Sequence, residues 1–572
     1  MSVADNDGPQ ATNGRGSPDR QTPEPRQLPD DVLHLFCAEL AHQRDFDSLF
    51  QCALVGKCLA LPALTYLYRC HHLSPVRDGG SEAVALSQQA LMVQKWSIMW
   101  RSIIASGLDM TLFPYCRYIK VLNLRDLQYL LEDDKFRGAL TTKFFAGGMS
   151  RFKVMIEFPP KRGAKKRPAR LDINTAINAI GEVLTQHTPT LEQISGNIQS
   201  SALINWAPRL PRLKSLELWQ GQTLAESQAQ AAIHENCPQF DALSFYTWEG
   251  EDVDEKLSGF IGGMKPHQLR YFEVISRSNV GAETCLSLNT QGESLKTLKL
   301  ALKTSALEHL SLLKSCTALE TLELEHIDVS THPTDLEKTQ NDVYHDMGEW
   351  LRACKSLTSL HFTGFPSAPP LVTPLLLDND TNLCSLKVDW YAAAAHRDFH
   401  RALAHQPKLQ SLSLSGMPET MGRDDVDTLI ESLIQLKELR ELKLTGVSDY
   451  FNDEHIISLA ENLQHLEEVY FTGLSVGDAI LPQVSTLKNL RRIDIAAMSS
   501  FTADGLLGFA SKLGPGNKGI IVSVDAADMN TMLATEEIGV VRDVLLENVD
   551  GRLEYQPWRD PEVSDFEASD SE

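Results

Sequence analysis

Two cysteines lie close together in the stretch QCALVGKCLA, at positions 52 and 58. Such a pair could form a redox couple or hold part of a metal site. If the stretch is one helix, six residues rotate about 600° and leave the two side chains about 120° apart. Cys37 and His34 could supply further metal ligands, but their spacing matches no zinc site. We therefore predict neither a disulfide nor a metal site here.

Four further cysteines occupy a repeated position instead. Each stands three residues before a leucine-rich strand pattern, in a place where other copies of the pattern carry Leu or Thr: Cys116, Cys237, Cys316 and Cys354. A position shared by Cys and Leu is typical of buried packing. One cysteine per repeat, in repeats that we take to be non-adjacent, cannot converge on a metal ion. The pattern predicts structural cysteines.

Other motifs with possible chemistry lack the context that they need. GPGNKG (514–519) satisfies G-x-G-x-x-G, but it follows a helix-like segment and precedes the strand-like IIVSV, the reverse of a dinucleotide site. A turn at a helix end is the prediction. The basic run KRGAKKRPAR (161–170) is interpreted as an exposed loop, with a nuclear import signal as the alternative. No catalytic motif, cofactor site or metal site is predicted.

Composition narrows the possible partners. The 572 residues carry a net charge of −23, which disfavours nucleic acid and anionic membranes as partners. No secretory signal and no run of 18 apolar residues is seen. Ten cysteines without a signal segment predict free thiols in the cytoplasm and/or nucleus.

The strongest pattern is a repeat. From residue 213 the frame L-x-x-L-x-L, with apolar replacements, recurs eleven times at intervals of 24 to 38 residues. The frames begin at residues 213, 240, 269, 295, 319, 357, 383, 409, 439, 466 and 490, and less regular copies begin at 119 and 191. The longest interval predicts an insertion near 326–340. A short strand and a helix per unit predict a curved α/β leucine-rich repeat solenoid.

The solenoid would present one side chain per strand on its concave face, between the last two apolar positions of each frame. That row runs Glu217, Ser244, Glu273, Lys299, Glu323, His361, Lys387, Ser413, Lys443, Tyr470 and Asp494. Aromatic residues follow several strands, and aromatic rims suit protein partners. Our candidate residues for binding a protein substrate are Trp219, Tyr246, Trp248, Glu273, Lys299, His361, Lys387, Trp390, Tyr391, Lys443 and Tyr470.

Ahead of the repeats, residues 28–69 predict about three short helices. Pro29 and Asp30 can start a helix, and Val32, Leu33, Phe36 and Leu40 fall on one face of it. A unit of this size is only marginally stable alone and exposes apolar side chains that need a partner.

This segment resembles an F-box. Leu28 and Pro29 match the family's opening, and Cys52, Leu54, Val55 and Lys57 match its C-x-L-V-[SC]-[RK]-x-[WF] run, although Leu59 replaces the aromatic residue. With the repeats of the cysteine-containing class, the chain resembles fungal F-box/leucine-rich repeat proteins. The resemblance implies docking to a Skp-family adaptor of a cullin–RING ubiquitin ligase, with repeats that hold a protein substrate. The adaptor would contact Leu28, Pro29, Val32, Leu33, Phe36, Leu54 and Val55.

We therefore expect a non-catalytic substrate-recognition subunit of an SCF-type ligase. The alternative is a leucine-rich repeat scaffold that acts outside ubiquitination. The predicted organisation is a disordered tail (1–27), an F-box (28–70), a helical linker (71–115), a solenoid (116–525) with a basic insert (159–171), a capping segment (526–555) and an acidic tail (556–572). Ser564 and Ser569 in that tail are interpreted as solvated serines, with acid-directed phosphorylation as the alternative.

Overall fold

A computed structural model describes residues 28–74, 86–156, 169–328, 334–417, 421–448 and 450–558. The predicted tail at 1–27, residues 559–572 of the acidic tail predicted at 556–572, and residues 159–168 of the basic insert predicted at 159–171 lie outside these ranges. The chain divides after residue 78 into two compact units, a three-helix unit and a repeat array.

The three-helix unit contains α1 (Asp30–His42), α2 (Phe46–Val55) and α3 (Lys57–Arg69). Pro29 precedes α1, and the Asp45 carboxylate accepts a hydrogen bond from the Ser48 amide at the start of α2. Gly56, in extended conformation, separates α2 from α3. The core is small, with Cys37, Leu49, Ala63 and Cys70 at its centre. The predicted three helices are confirmed.

In the described ranges, the repeat array is built on one parallel sheet of fifteen strands. In spatial order the strands are β1 (Val121–Asn123), β4 (Gln193–Gly196), β5 (Ser215–Gln220), β6 (Ala242–Thr247), β7 (Tyr271–Val274), β8 (Thr297–Leu302), β9 (Thr321–His326), β10 (Ser359–Thr363), β11 (Ser385–Tyr391), β12 (Ser411–Gly416), β13 (Glu441–Thr445), β14 (Glu468–Gly477), β15 (Arg492–Ser500), β16 (Ile521–Ala527) and β17 (Arg552–Pro557). A separate antiparallel pair joins β2 (Met155–Ile156) and β3 (Arg170–Leu171).

Helix α4 (Leu86–Ser106) precedes the first strand of the array, and further helices connect successive strands. The connecting helices are α5 (Leu124–Glu132), α6 (Ala139–Phe144), α7 (Ile173–His187), α8 (Ser200–Trp206), α9 (Ser227–Asn236), α10 (Val253–Gly263), α11 (Ala282–Leu288), α12 (Thr304–Leu307), α13 (Leu336–Thr339), α14 (Asn341–Ala353), α15 (Ala368–Leu376), α16 (Arg397–Ala402), α17 (Arg423–Leu433), α18 (Asp453–Asn462), α19 (Leu481–Val484), α20 (Ala503–Lys512) and α21 (Thr535–Val549). The long connection between β9 and β10, where an insertion is predicted near 326–340, carries α13 within those bounds and α14 after them. The predicted α/β leucine-rich repeat solenoid is therefore the observed fold.

Every predicted frame produces a strand that begins at its third position, including the two less regular frames. The fourth and sixth positions point into the core, as Leu322 and Leu324 of β9 illustrate with exposures of 0% and 1%. The third and fifth positions point to the opposite face, because side chains alternate along a strand. One face of the sheet is therefore apolar and covered, and the other carries the polar row.

Two parts of the predicted organisation need correction. Helix α4 lies in the segment taken as a linker, but the indoles of Trp96 and Trp100 both donate to the Asp126 carboxylate at 2.9 and 2.7 Å. It is thus packed onto the first repeat. The segment predicted as a cap after residue 525 contains α21 and β17, and β17 pairs in parallel with β16. The array therefore continues for a further repeat.

Candidate functional site

The three-helix unit exposes large apolar side chains. Val32 and Phe36 lie one turn apart on α1, and Leu54 and Val55 end α2 with 65% and 76% exposure. Leu28 and Pro29 are exposed ahead of α1. Leu33 differs from this prediction, because it is 6% exposed and belongs to the core. We name the remaining residues, with the additional exposed Leu35 and Phe50, the apolar helix surface.

The cysteine pair of this unit has a different geometry from the one assumed. Cys52 lies on α2 and Cys58 on α3, so the single-helix rotation used above is wrong: the chain changes direction at Gly56. Both thiols are free, with Cys52 partly buried and Cys58 exposed. Within the described residues, no group of three His, Cys, Asp or Glu side chains is placed to hold a metal ion.

The predicted concave row is a single line of register partners. Glu217 pairs with Ser244, which pairs with Glu273, and the pairing continues strand by strand to Asp494. We call the sheet face that carries this row the concave face. It includes the third and fifth frame positions and thus brings together Glu273, Lys299, His361, Lys387, Lys443 and Tyr470 of the candidate set.

At the N-terminal end of this face, two candidate aromatic residues stack. The rings of Trp219 and Tyr246 lie 4.5 Å apart and nearly parallel. The Arg125 guanidinium lies 4.8 Å from the Trp219 ring and forms an ion pair of 3.5 Å with Glu217. A guanidinium over an aromatic face with a carboxylate beside it is a favourable cation–π arrangement. Arg125, which the frame pattern did not flag, occupies this site from α5.

The middle of the face holds a charged network. The Glu323 carboxylate lies 3.0 Å from Lys299 Nζ and 3.2 Å from His361 Nδ1, and His361 Nε2 lies 2.9 Å from Ser385 Oγ. Its bond to His361, with a further contribution from Lys299, lowers the pKa of Glu323 to about 2. Lys299, Glu323 and His361 are thus paired with one another, whereas Glu325 and Lys387 on the same face form no ion pair among the described residues.

The C-terminal part of the face contains an open cleft of about 440 Å³. Its lining includes Ser413, Glu441, Lys443, Glu468, Tyr470 and Asp494. Lys443 Nζ lies 5.0 Å from the centre of the Tyr470 ring. Sequence reasoning identified Lys443 and Tyr470 but missed Glu441 and Glu468, which occupy the third frame position. Extending the alternation by two residues would have found both.

Two candidates are buried and cannot meet a partner directly. Trp248 is 1% exposed and packs edge-on against Phe245 at 5.6 Å. Tyr391 is 0% exposed, and its hydroxyl lies 2.9 Å from His400 Nε2. Trp390 remains exposed because a bulge follows Asp389. At this bulge the backbone of Trp390 takes a left-handed φ of 65°.

The repeated cysteines are packed as predicted. All four are buried, and burial raises the pKa of Cys237, Cys316 and Cys354 to about 12. Cys316 and Cys354 belong to adjacent repeats, contrary to the expectation, and the Cys354 thiol donates to the Cys316 carbonyl at 3.5 Å. Protonated, hydrogen-bonded thiols of this kind are poor nucleophiles. GPGNKG lies between α20 and β16, which confirms the predicted order of helix, turn and strand.

In the ranges that the structure describes, no helix is both long enough and apolar enough to cross a membrane. No protein-family model matches the chain. A search of curated proteins likewise returns no match.

Among solved structures, the chain is similar to the yeast Rad7 and Elc1 complex, with 14% identity, a TM-score of 0.35 and coverage of 63% of this chain and 85% of that one. It is also similar to an internalin from Listeria monocytogenes, with 14% identity, a TM-score of 0.29 and coverage of 62% of this chain and 84% of that one. A third similar structure is a TLR13–ssRNA13 complex, with 14% identity, a TM-score of 0.33 and coverage of 59% of this chain and 57% of that one. With all TM-scores below 0.5, these likenesses identify no partner or activity, and the fold assignment rests on the register of the chain's own strands.

Proposed function

We propose that the chain is a substrate-recognition subunit of an SCF-type ubiquitin ligase, in which the three-helix unit docks a Skp-family adaptor and the array holds a protein substrate. The observation that carries the proposal is the apolar helix surface. Its residues Leu28, Val32, Phe36, Leu54 and Val55 coincide with the positions that resemble an F-box, and all five side chains are exposed.

The energetics favour a partner on this surface. Burying a Leu, Val or Phe side chain contributes about 1.5–3 kcal/mol, and five of them offer a large driving force for association. The same residues contribute little to the unit's own core, which is built around Cys37, Leu49 and Ala63. An exposed set of this kind is typical of a protein interface.

The array supplies the second half of the proposal. Its fifteen strands, spaced about 4.8 Å apart, present a face on the order of 65 Å long, which suits a macromolecule better than a small ligand. Ubiquitin transfer would belong to the cullin–RING partners, so the chain itself needs no catalytic residue. The ten free cysteines fit a reducing compartment, the cytoplasm or nucleus.

The test is adaptor binding by the purified full chain. We expect Leu54→Asp/Val55→Asp to weaken binding of a recombinant Skp-family adaptor at least about a hundredfold, because hot-spot side chains contribute roughly 2 kcal/mol each. The matched control is Leu546→Asp, at an exposed apolar position of α21 in the array, which should bind as wild type does. Isothermal titration calorimetry measures all three.

Absence of adaptor binding by the wild-type chain contradicts the proposal, as does undiminished binding by the double variant. Adaptor binding without recruitment of cullin would favour the scaffold alternative.

A further inference from the structure

The C-terminal part of the concave face differs from the middle in how its charges are compensated. Five carboxylates lie on this face of β13 to β17: Glu441, Glu468, Asp494, Asp525 and Glu554. Three cations share the same face of these strands, Lys443, Arg492 and Arg552, which leaves a net charge of −2. An extended partner lying across these strands meets an acidic surface.

Most of these carboxylates are not neutralised internally. Arg492 Nε lies 2.6 Å from Asp494 Oδ2, and within the described ranges this is the one ion pair that any of the five makes. Glu441 and Asp525 instead accept hydrogen bonds from the hydroxyls of Ser411 and Ser523, at 2.8 and 2.6 Å. A hydroxyl orients a carboxylate and leaves its charge in place.

The electrostatic effect extends to the neighbouring side chains. Burial raises the pKa of Tyr470, and the charges of Asp525 and Asp494 raise it further. The hydrogen bond from Arg492 to Asp494 raises the pKa of Arg492, with the charges of Glu554 and Glu468 adding to the effect. The charge contributions to these two shifts, although not the burial of Tyr470, correspond to a negative potential over the cleft.

The cleft also offers an aromatic face to a cation. Lys443 already lies over the Tyr470 ring, so the chain itself shows that the ring accepts an ammonium group. Lys443 makes no ion pair in the part of the chain that the structure describes, so a second cation would compete with it for the ring and for the surrounding carboxylates. The cleft, at about 440 Å³, is large enough to admit a long side chain.

We infer that β12 to β17 form the binding site for an extended Lys/Arg-bearing segment of a partner protein, with one cationic side chain entering the cleft beside Tyr470. Six strands span about 24 Å, which about seven extended residues cover. The inference deepens the proposed receptor function by naming the class of substrate. Segments rich in phosphate or carboxylate are disfavoured, because they would meet like charges.

The probe is a fluorescent ten-residue peptide of alternating Arg and Ser, with a citrulline-for-Arg peptide as the neutral control. Anisotropy measures its binding to the full chain. We expect the arginine peptide to bind at least about tenfold more tightly than the citrulline peptide, and Glu441→Gln/Glu468→Gln/Glu554→Gln to remove most of that difference.

The matched control variant is Glu431→Gln/Asp543→Asn/Glu547→Gln, which removes the same number of charges from exposed positions on α17 and α21. It should bind the arginine peptide within about twofold of wild type, because distant surface charges are screened. Equal losses in the two triple variants would overturn the inference, since the effect would then be one of total charge.

For Lys443→Met, the direction of the change in affinity for the arginine peptide tests the inference. If a partner cation competes with Lys443, this variant binds the arginine peptide about threefold more tightly, since a competing charge is removed. Weaker binding by this variant, or tighter wild-type binding of a phosphoserine-for-Arg peptide, overturns the inference. Adaptor binding is measured in parallel, so failure of the peptide experiment with intact adaptor binding leaves the proposed function standing.

Discussion

The three-helix unit leaves Leu54 and Val55 mostly exposed, whereas the array buries Leu322, Leu360 and Leu386 completely and presents charges and hydroxyls instead. The difference shows that apolar side chains have different structural roles in the two regions. In the array they hold the repeats together. In the three-helix unit a large share of them is available for association, which is the basis of the proposed adaptor docking.

The largest expected effect tests this division directly. Leu386 of β11 is 0% exposed, and Leu386→Ala should lower the free energy of unfolding of the array by about 2–5 kcal/mol. Leu54→Ala should change stability by no more than about 0.5 kcal/mol, because its side chain is already in water. Urea unfolding followed by circular dichroism compares the two. Similar losses in both variants would remove the contrast between the regions.

A smaller effect concerns acid and the charged face. The folded-state pKa of Glu323 is about 2, below its ordinary value of 4.5. The ionised Glu323 carboxylate therefore adds to the free energy of unfolding above pH 4.5, and this contribution is lost as the pH falls towards 2. We expect Glu323→Gln to cost roughly 1 kcal/mol at pH 7, after allowance for screening by solvent, and almost nothing near pH 2.

Urea midpoints measured across this pH range provide the comparison, with Glu325→Gln on the same strand as control. Glu325 is exposed and forms no ion pair among the described residues. A cost of Glu323→Gln that did not change with pH would show that the network contributes through packing instead of charge.

The smallest expected effect is a difference in salt dependence between the two proposed binding surfaces. Between 50 and 300 mM NaCl we expect the Kd for the arginine peptide to rise at least about threefold, because screening weakens charge pairs. The Kd for the adaptor should change by less than about twofold, because apolar burial is barely screened. Titrations at both concentrations measure this. Matching salt dependence would contradict the assignment of apolar docking to one region and charged docking to the other.

Much of the array could be predicted from the sequence because the spacing of the leucines follows the two-residue alternation of side chains along a strand. Thirteen of the fifteen strands begin at the third position of a predicted frame. β16 and β17 were not counted as repeats because Gly519 and Asp550 stand where the first leucine would be. Both residues take left-handed φ values, 80° and 56°, so these two units enter their strands by a different turn.

Side-chain environments were harder to predict. The candidates Trp248 and Tyr391 lie just after β6 and at the last position of β11, but the sequence does not show where alternation ends or where a bulge reverses it. The orientation of Cys52 relative to Cys58 depended on a helix break at Gly56 that the apolar pattern does not reveal. Such local reversals depend on tertiary packing, which spacing alone cannot encode.

The fixed starting point of the strands within the frame has a consequence for how this protein can change. Core and surface positions alternate in every repeat, so a substitution at the fifth frame position, such as Lys387 or Ser413, alters the surface while the leucines beside it stay in place. Substitutions on this face can therefore change binding specificity one strand at a time while the buried core stays the same. If the proposed receptor function holds, such an array can be redirected from one substrate to another through single substitutions that leave the buried leucines unchanged.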